Sequence, residues 1–397
     1  MRVVRGHHDV IAAVRAAAGL LSRTGAPVCA QPLWLSTWYA HSKVTPVAVI
    51  VEQCSGEDIA LACLAIQRTG GLRTITLAGD GPSDYGRLSA RDEPAAAALA
   101  GGILTVLAAV RGPWRLRLAQ LPAADPVART LLDALPGARL DAGQACPAMS
   151  FGADRSPERH MSAKARRAAR RGMARLAEAG VAVRVDRVSD PAGVRELLPE
   201  VVALHRARDR AVGRRSDLDR ASRRAFYVSV VRELADAGQL DVWTLRLDDA
   251  LGAFVVGVRD GGSYRALDAR IADLWPSASP GQVLRTEMIT ALLADPALSE
   301  LDWMRGELRH KMQDATHVVP TEEVLAESSP MVGAALQGWQ ALRRQVRDRI
   351  PDQAREWVRS RGFSGPGPRY RAARAGLDAN PVAPRQPGAA DDNPALS

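Results

Sequence analysis

The chain has 397 residues, too many for one ordinary core and suited to two domains, or one duplicated domain, with a tail. Hydrophobic residues make up 47% and charged residues 24%, which excludes a disordered polypeptide, and with aromatics at only 4% the filling falls to Ala, Leu and Val. A formal net charge of +9, carried mainly by arginine, favours acidic ligands such as phosphorylated cofactors, RNA or anionic lipid headgroups.

At the N-terminus Arg2, Arg5, Asp9 and Arg15 break any apolar run, so no signal peptide is read there. "TPVAVIVEQCSG" from residue 45 predicts a strand ending in a turn, "EDIALACLAIQRTGG" a helix closed by glycine, and "LRTITLAG" a second strand. "AAAALAGGILTVLAAV", residues 95–110, falls short of the roughly 18 to 20 apolar residues a bilayer demands and predicts a buried helix. "GPWRLRLAQLP" adds an alternating strand and "DPVARTLLDALPG" a short helix. Residues 1–155 are therefore expected to form an α/β domain. Its cysteines, Cys29, Cys54, Cys63 and Cys146, are all the chain has. They form no C-x-x-C pair and have no histidine at ligand spacing, so no zinc or other metal site and no disulfide framework is expected, and reduced thiols in a cytoplasm are the ordinary state.

A hinge is expected in "FGADRSPERHM", followed by a connecting helix within 156–180 whose Lys164, Arg166, Arg167, Arg170, Arg171 and Arg175 occupy more than one face. Such a helix cannot bury most of its circumference. A second domain is expected over 181–330, in the order β-α-α-β-β-β-α-β-α. "VAVRVDRV" is its first strand, two helices follow, and Asp248-Asp249 and Gly261-Gly262 mark the turns between three further strands. Residues 331–363 predict an amphipathic helix with Trp339, Leu342, Val346 and Ile350 on one side, and 364–397, rich in Pro, Gly and Ala, a disordered tail.

The junction "SASPGQVLRTEM" (277–288) stands out. Ser279 can cap a helix, Pro280 suits its first position and Gln282 completes a Ser-x-x-Gln box. Gly281 costs on the order of 1 kcal/mol in a helix interior, which is explained either by a purely structural cap or by a ligand that approaches the backbone closely. A diphosphate on the free amides of a helix start is such a ligand.

"SDY" at Ser83–Tyr85, the "SAKARRAARR" helix, "LHRARD" at Leu204–Asp209, "GQLDVWTLRLDD", "SPG" at Ser279–Gly281 and "LDWMRGE" running on to Lys311 together resemble the GNAT acetyltransferase fold and, more narrowly, the CelD-like acetyltransferase family, over roughly residues 30 to 315. The resemblance implies an α/β fold of tandem GNAT-like (acyl-CoA N-acyltransferase) domains, with mixed sheets flanked by helices. It further implies that acetyl-CoA or another acyl-CoA binds the second domain at Ser279, Gly281, Gln282 and Val283. A small-molecule or saccharide amine acceptor, such as an amino sugar or polysaccharide precursor, would lie between the domains. The family's pattern near Lys311 carries an aromatic where this chain has His310.

Acyl transfer needs a deprotonated amine and a polarised carbonyl. Asp268, late in the strand before the 280s helix, is either the proton acceptor or a turn carboxylate. Asp302 and Arg305 either orient the acceptor or the base, or form an internal ion pair. Glu307, His310 and Lys311 form a polar cluster, with His310 able to titrate near neutrality or simply solvated. His205 is a core histidine or a substrate contact, and Asp84 and Tyr85 line the acceptor cleft or close a turn. Two other functions fit the residues. Fem-type transferases, also built from two such domains, take amino acids from aminoacyl-tRNA, which the arginine-rich helix would suit. A non-catalytic basic scaffold could instead make peripheral contact with a membrane surface through the Trp339 helix.

Overall fold

The computed structural model describes residues 1–349, without the side chains of Arg309, His310 and several residues from 340 onward. The Val346 side chain, Ile350 and the predicted tail 364–397 therefore lie outside what is described. One compact unit spans Met1–Gln340, and Ala341–Ser397 forms another.

The first half of the compact unit runs β1 (Arg2–Arg5), α1 (His7–Ala16), α2 (Ala18–Arg23), α3 (Pro32–His41), β2 (Thr45–Glu52), β3 (Asp58–Thr69), β4 (Leu72–Leu77), β5 (Ser89–Ala90), α4 (Glu93–Ala108), β6 (Trp114–Pro122), α5 (Pro126–Ala134) and β7 (Arg139–Ala142). The second half runs β8 (Cys146–Ser150), α6 (Pro157–His160), α7 (Ala163–Glu178), β9 (Val183–Val188), α8 (Pro191–Ala211), α9 (Ala221–Asp236), β10 (Leu240–Leu247), β11 (Ala250–Asp260), β12 (Ser263–Ile271), α10 (Pro280–Leu293), β13 (Glu300–Asp302), α11 (Arg309–Gln313), β14 (His317–Val319) and β15 (Thr321–Glu327), before α12 (Pro330–Arg349). The segment 57–71, expected to be a helix from its Ala and Leu content, is instead strand β3, paired with β2, β4 and β5. Its unbroken buried run from Ala60 to Ala65 is that of a strand covered on both faces, where burial overrides helix propensity.

Two mixed sheets result, in the orders β1-β2-β3-β4-β6-β15-β7 and β14-β8-β13-β12-β11-β10-β9. Each contains one parallel pair, β4 with β6 and β12 with β13. Relative to the expected domains 1–155 and 181–330, one strand crosses each way. β8 lies between β13 and β14 in the second sheet, and β15 between β6 and β7 in the first. The sheets thus do not coincide with residues 1–155 and 181–330.

Helices α1 and α3 from the first half and α8 and α9 from the second share one core between the sheets, through Val10, Trp34, Trp38, Val201, Phe226 and Leu234. The Thr37 hydroxyl donates to Glu233 at 2.7 Å, and Trp34 meets Phe226 edge-on at 5.4 Å. The outer face of the first sheet is covered by α4 and α5, and that of the second by α7 and α10. The apolar stretch 95–110 forms most of α4. No helix among the described residues is long and apolar enough to cross a membrane. Trp339 and Leu342 on α12 are exposed.

The basic helix α7 presents a narrow buried stripe of Ala165, Ala169, Gly172 and Leu176 to α10 and the loop before it. A Cβ at Gly172 would lie 2.1 Å from the Ala278 carbonyl oxygen. Gly172→Ala should therefore push α7 off this loop and lower stability by about 1–3 kcal/mol, despite alanine's higher helix propensity. Urea unfolding should show the midpoint falling at constant slope, and an unchanged midpoint would contradict the close packing.

Candidate functional site

In the second sheet β12 and β13 pair in parallel only over Ser263–Arg265 and Glu300–Asp302. Beyond this point β12 continues to Ile271, while the chain after Asp302 turns away through Met304, at φ 60°. The strands splay, and a crevice at the carboxyl ends of parallel strands is where open α/β sheets take ligands. A bulge in β12 opposite Val256 and Gly257 inserts Leu267. Both Leu267 and Asp268 consequently face the central helical layer, Leu267 on its apolar core and Asp268 on His205.

The corresponding splay of β4 and β6 is filled by the chain itself. Gly86 N–H donates to the Gln120 carbonyl at 2.8 Å, and a Cβ there would stand 2.5 Å from the Ala119 carbonyl oxygen. Helix α4, which follows, is capped by the Asp92 carboxylate on Ala95 N–H and begins with Glu93, an arrangement hostile to an anion. The plug that closes the first crevice carries Asp84 and Tyr85 to the edge of the second.

There Tyr85 donates to Asp302 Oδ2 at 2.7 Å, Met304 N–H donates to Oδ1 at 2.7 Å, and Arg265 also donates to Oδ2. Arg265 is held by Asp260 as well, at 2.6 Å. Arg305 pairs with Asp84, Nε to Oδ1 at 3.0 Å, and Lys311 donates to the Arg305 carbonyl at 2.8 Å. Asp302 and Arg305 are thus each ion-paired, but not to each other. Burial raises the Asp84 carboxyl above its ordinary pKa, more than Arg305 and Lys311 offset, and burial holds the Lys311 ammonium below its own. Those are the directions in which an acid–base pair is tuned toward neutrality. Glu307 is exposed, and the His310 side chain lies outside the described residues.

A second network surrounds Asp268. Its carboxylate accepts from His205 Nδ1 at 2.7 Å, Tyr227 at 3.0 Å and Arg270 at 2.7 Å. Asp209 lies 3.1 Å from His205 Nε2, which also meets Arg270 at 2.9 Å. Burial works to raise the Asp268 pKa, but Arg270, His205 and Tyr227 together hold it below the ordinary value. A carboxylate so held is a weak base, and of the two roles read from the sequence, proton acceptor or turn carboxylate, the geometry fits neither closely: Asp268 anchors His205 and Arg270. His205 is the satisfied buried histidine that its helix face suggests.

The start of α10 also differs from expectation. Ser279 is in the left-handed region at φ 52° and its side chain caps nothing. Gln282 donates to Thr286, so no Ser-x-x-Gln box forms. The amides of Gln282 and Val283 bond to the Ser279 carbonyl, which leaves Gly281 N–H as the free donor of the three. The space of a Gly281 Cβ is occupied by Ile271 Cδ1, 2.1 Å away, and Val283 is core. The Ile271 side chain, itself exposed, thus occupies the space that the sequence reading gives to a diphosphate. The corner stays at the surface, with Ser279 exposed and Arg175 of α7 donating to the Ser277 carbonyl. It can hold an anion through one amide, a hydroxyl and a guanidinium, not through a row of amides. Among the described residues no group of side chains could hold a metal ion.

Sequence reading overlooked Arg265, Arg270, Tyr227 and Asp209. The first two had a signal, since "SYRALDARI" places charges around Asp268 in a strand beside β11, which is apolar from Ala250 to Val258. Tyr227 and Asp209 had none, because only the packing of α8 and α9 brings them to β12.

Residues 163–312 match the acetyltransferase (GNAT) domain family. No match to a curated protein was found. Among solved structures the chain is similar to FemX, with a TM-score of 0.56 and 9% identity, covering 82% of this chain and 97% of that one. It is also similar to the C-terminal domain of a protein assigned as a lysylphosphatidylglycerol synthetase from Agrobacterium fabrum, with a TM-score of 0.53, 12% identity, and coverage of 85% and 98%. A protein of unknown function from Bacteroides thetaiotaomicron VPI-5482 aligns with a TM-score of 0.51 at 9% identity, over 82% and 100%. The chain therefore has a two-sheet α/β fold of the kind seen in FemX, and within it the segment 163–312 is similar to the acetyltransferase (GNAT) domain family.

Proposed function

We propose that the protein is an N-acyltransferase that moves an acyl group, acetyl in the first instance, from acyl-CoA to an amine held beside the β12–β13 splay. The observation that carries this reading is the asymmetry of the two halves. One crevice is plugged by the chain itself, and the other, whose strands β12 and β13 lie within the segment that matches the acetyltransferase domain family, is bordered by Arg305 and Lys311 of that segment and by Asp84 from the first half. Asp84 takes the proton of the attacking amine, whose nitrogen forms a bond to the thioester carbonyl carbon as the C–S bond breaks. Lys311 faces the negative charge that develops on the carbonyl oxygen and can supply a proton to the departing thiolate. Asp302 fixes Tyr85 and Arg265 around them. The CelD-like resemblance supports an amino sugar or polysaccharide precursor as acceptor.

A second reading keeps the fold and the seam but takes an aminoacyl ester of tRNA as donor. It is favoured by α7, where Lys164, Arg167, Arg170 and Arg171 are exposed and make no ion pair among the described residues, and by the single free amide at the start of α10. Titrating the protein with acetyl-CoA and with tRNA across a salt series separates the readings. Under the acyl-CoA reading, acetyl-CoA binds and tRNA affinity collapses between about 50 and 200 mM salt. Specific tRNA binding without acetyl-CoA binding would overturn the first reading in favour of the second.

A further inference from the structure

Arg223 lies in the first turn of α9, which has no acidic residue, so its charge opposes the helix dipole. It is partly buried, yet it makes no hydrogen bond or ion pair among the described residues. The carboxylates whose fields reach it, Asp217 and Asp80, do not offset its burial, and Asp80 is committed to Arg117 at 2.7 Å. Arg223 Nη2 stands 3.0 Å from where a Cβ of Gly81 would be, and Arg305 Nη2 donates to the Gly81 carbonyl at 2.8 Å. Gly81 is exposed and at φ +104°. Two guanidiniums thus converge on one open turn, beside Lys311, with Asp84 as the local counter-charge through Arg305.

We propose that Arg223 and Arg305, over the Gly79–Gly81 turn, form a subsite for a phosphate group of the acceptor, so that the amine acylated at Asp84 belongs to a phosphorylated molecule. A paired guanidinium fork recognises phosphate oxygens in number and geometry, and an unpaired Arg223 is free to do so. The proposal deepens the acyl-transfer reading and rests on it for the position of the amine. It also explains why a cation is retained at a helix start without a partner.

The test is calorimetric titration of the full chain with inorganic phosphate, with acetate as the carboxylate control and acetyl-CoA titrated separately. Phosphate should bind more tightly than acetate. Arg223→Gln should weaken phosphate about tenfold or more, the loss of one charge-assisted contact, while Arg223→Lys recovers part of it. Arg175→Gln, at the start of α10, should change phosphate binding by less than about twofold if the site is at Gly81. Thermal unfolding of each variant confirms the fold. Phosphate affinity unmoved by Arg223→Gln, acetate bound as tightly as phosphate, or a loss confined to Arg175→Gln overturns the subsite. Failure of acetyl-CoA to bind the unaltered chain would sink the donor assignment instead, and the two outcomes are read in separate titrations.

Discussion

Asp84→Asn should lower amine-dependent acyl transfer by about 10²–10⁴-fold, the span that a positioned general base contributes, while leaving the fold intact. Asparagine keeps the shape of the side chain and its acceptor oxygen for Arg305, but cannot take a proton. The pH profile gives the sharper signature. Asp84 must be ionised to act, and burial raises its pKa, so kcat/KM should rise with pH through a value above the ordinary carboxylate range. Lys311 must be protonated, and burial lowers its pKa, so activity should fall again with increasing pH below the ordinary lysine range. In Asp84→Asn the residual rate should lose the acidic limb and keep the alkaline one. An acidic limb that survives the substitution would assign the base elsewhere.

Asp302→Ala should be among the most destabilising single changes in the chain, by about 3 kcal/mol, because it removes one of the two carboxylates on a largely buried guanidinium and leaves the Tyr85 hydroxyl and the Met304 N–H without their acceptor. Asp302 is 1% exposed. Its oxygens serve Tyr85, Met304 N–H and Arg265, whose guanidinium also lies 5.1 Å from the Tyr85 ring centre. Without Asp302, Arg265 retains only Asp260, and the Tyr85 hydroxyl loses its acceptor. Asp302→Asn preserves the acceptor for Tyr85 or for Met304 and should cost less. Chemical denaturation of both variants measures the difference, and a cost below about 1 kcal/mol for the alanine variant would show the pair to be replaceable by water.

Much of the second half was legible in the sequence because its signals are local. The Asp248-Asp249 and Gly261-Gly262 turns divide β10, β11 and β12 where they are expected, and α7 through α10 follow their hydrophobic periodicity. β3 was misread because Ala and Leu carry helix propensity, while the burial that makes them a strand comes from β2, β4 and the layers on either side. The strand exchange of β8 and β15 left no trace in the sequence, since either strand fits either sheet by pattern alone. Asp84, Tyr85, Arg305 and Lys311, which the structure brings together beside the β12–β13 splay, are each visible as candidates in the sequence, but the surroundings that set one carboxylate apart from another are not. Asp84 and Asp268 look alike in sequence. They differ in what surrounds them, three donors on Asp268 against one arginine on Asp84. Gly281 reads as a ligand-driven glycine because Ile271, the side chain that packs over it, arrives from another element.

The most direct measurement of the central claim is a crystal structure of the full chain with acetyl-CoA. The acyl group is expected in the splay between β12 and β13, with its carbonyl facing Lys311 and Asp84 open to an incoming amine. Acetyl-CoA seated away from that splay, or with Asp84 and Lys311 out of reach of the thioester, would contradict it.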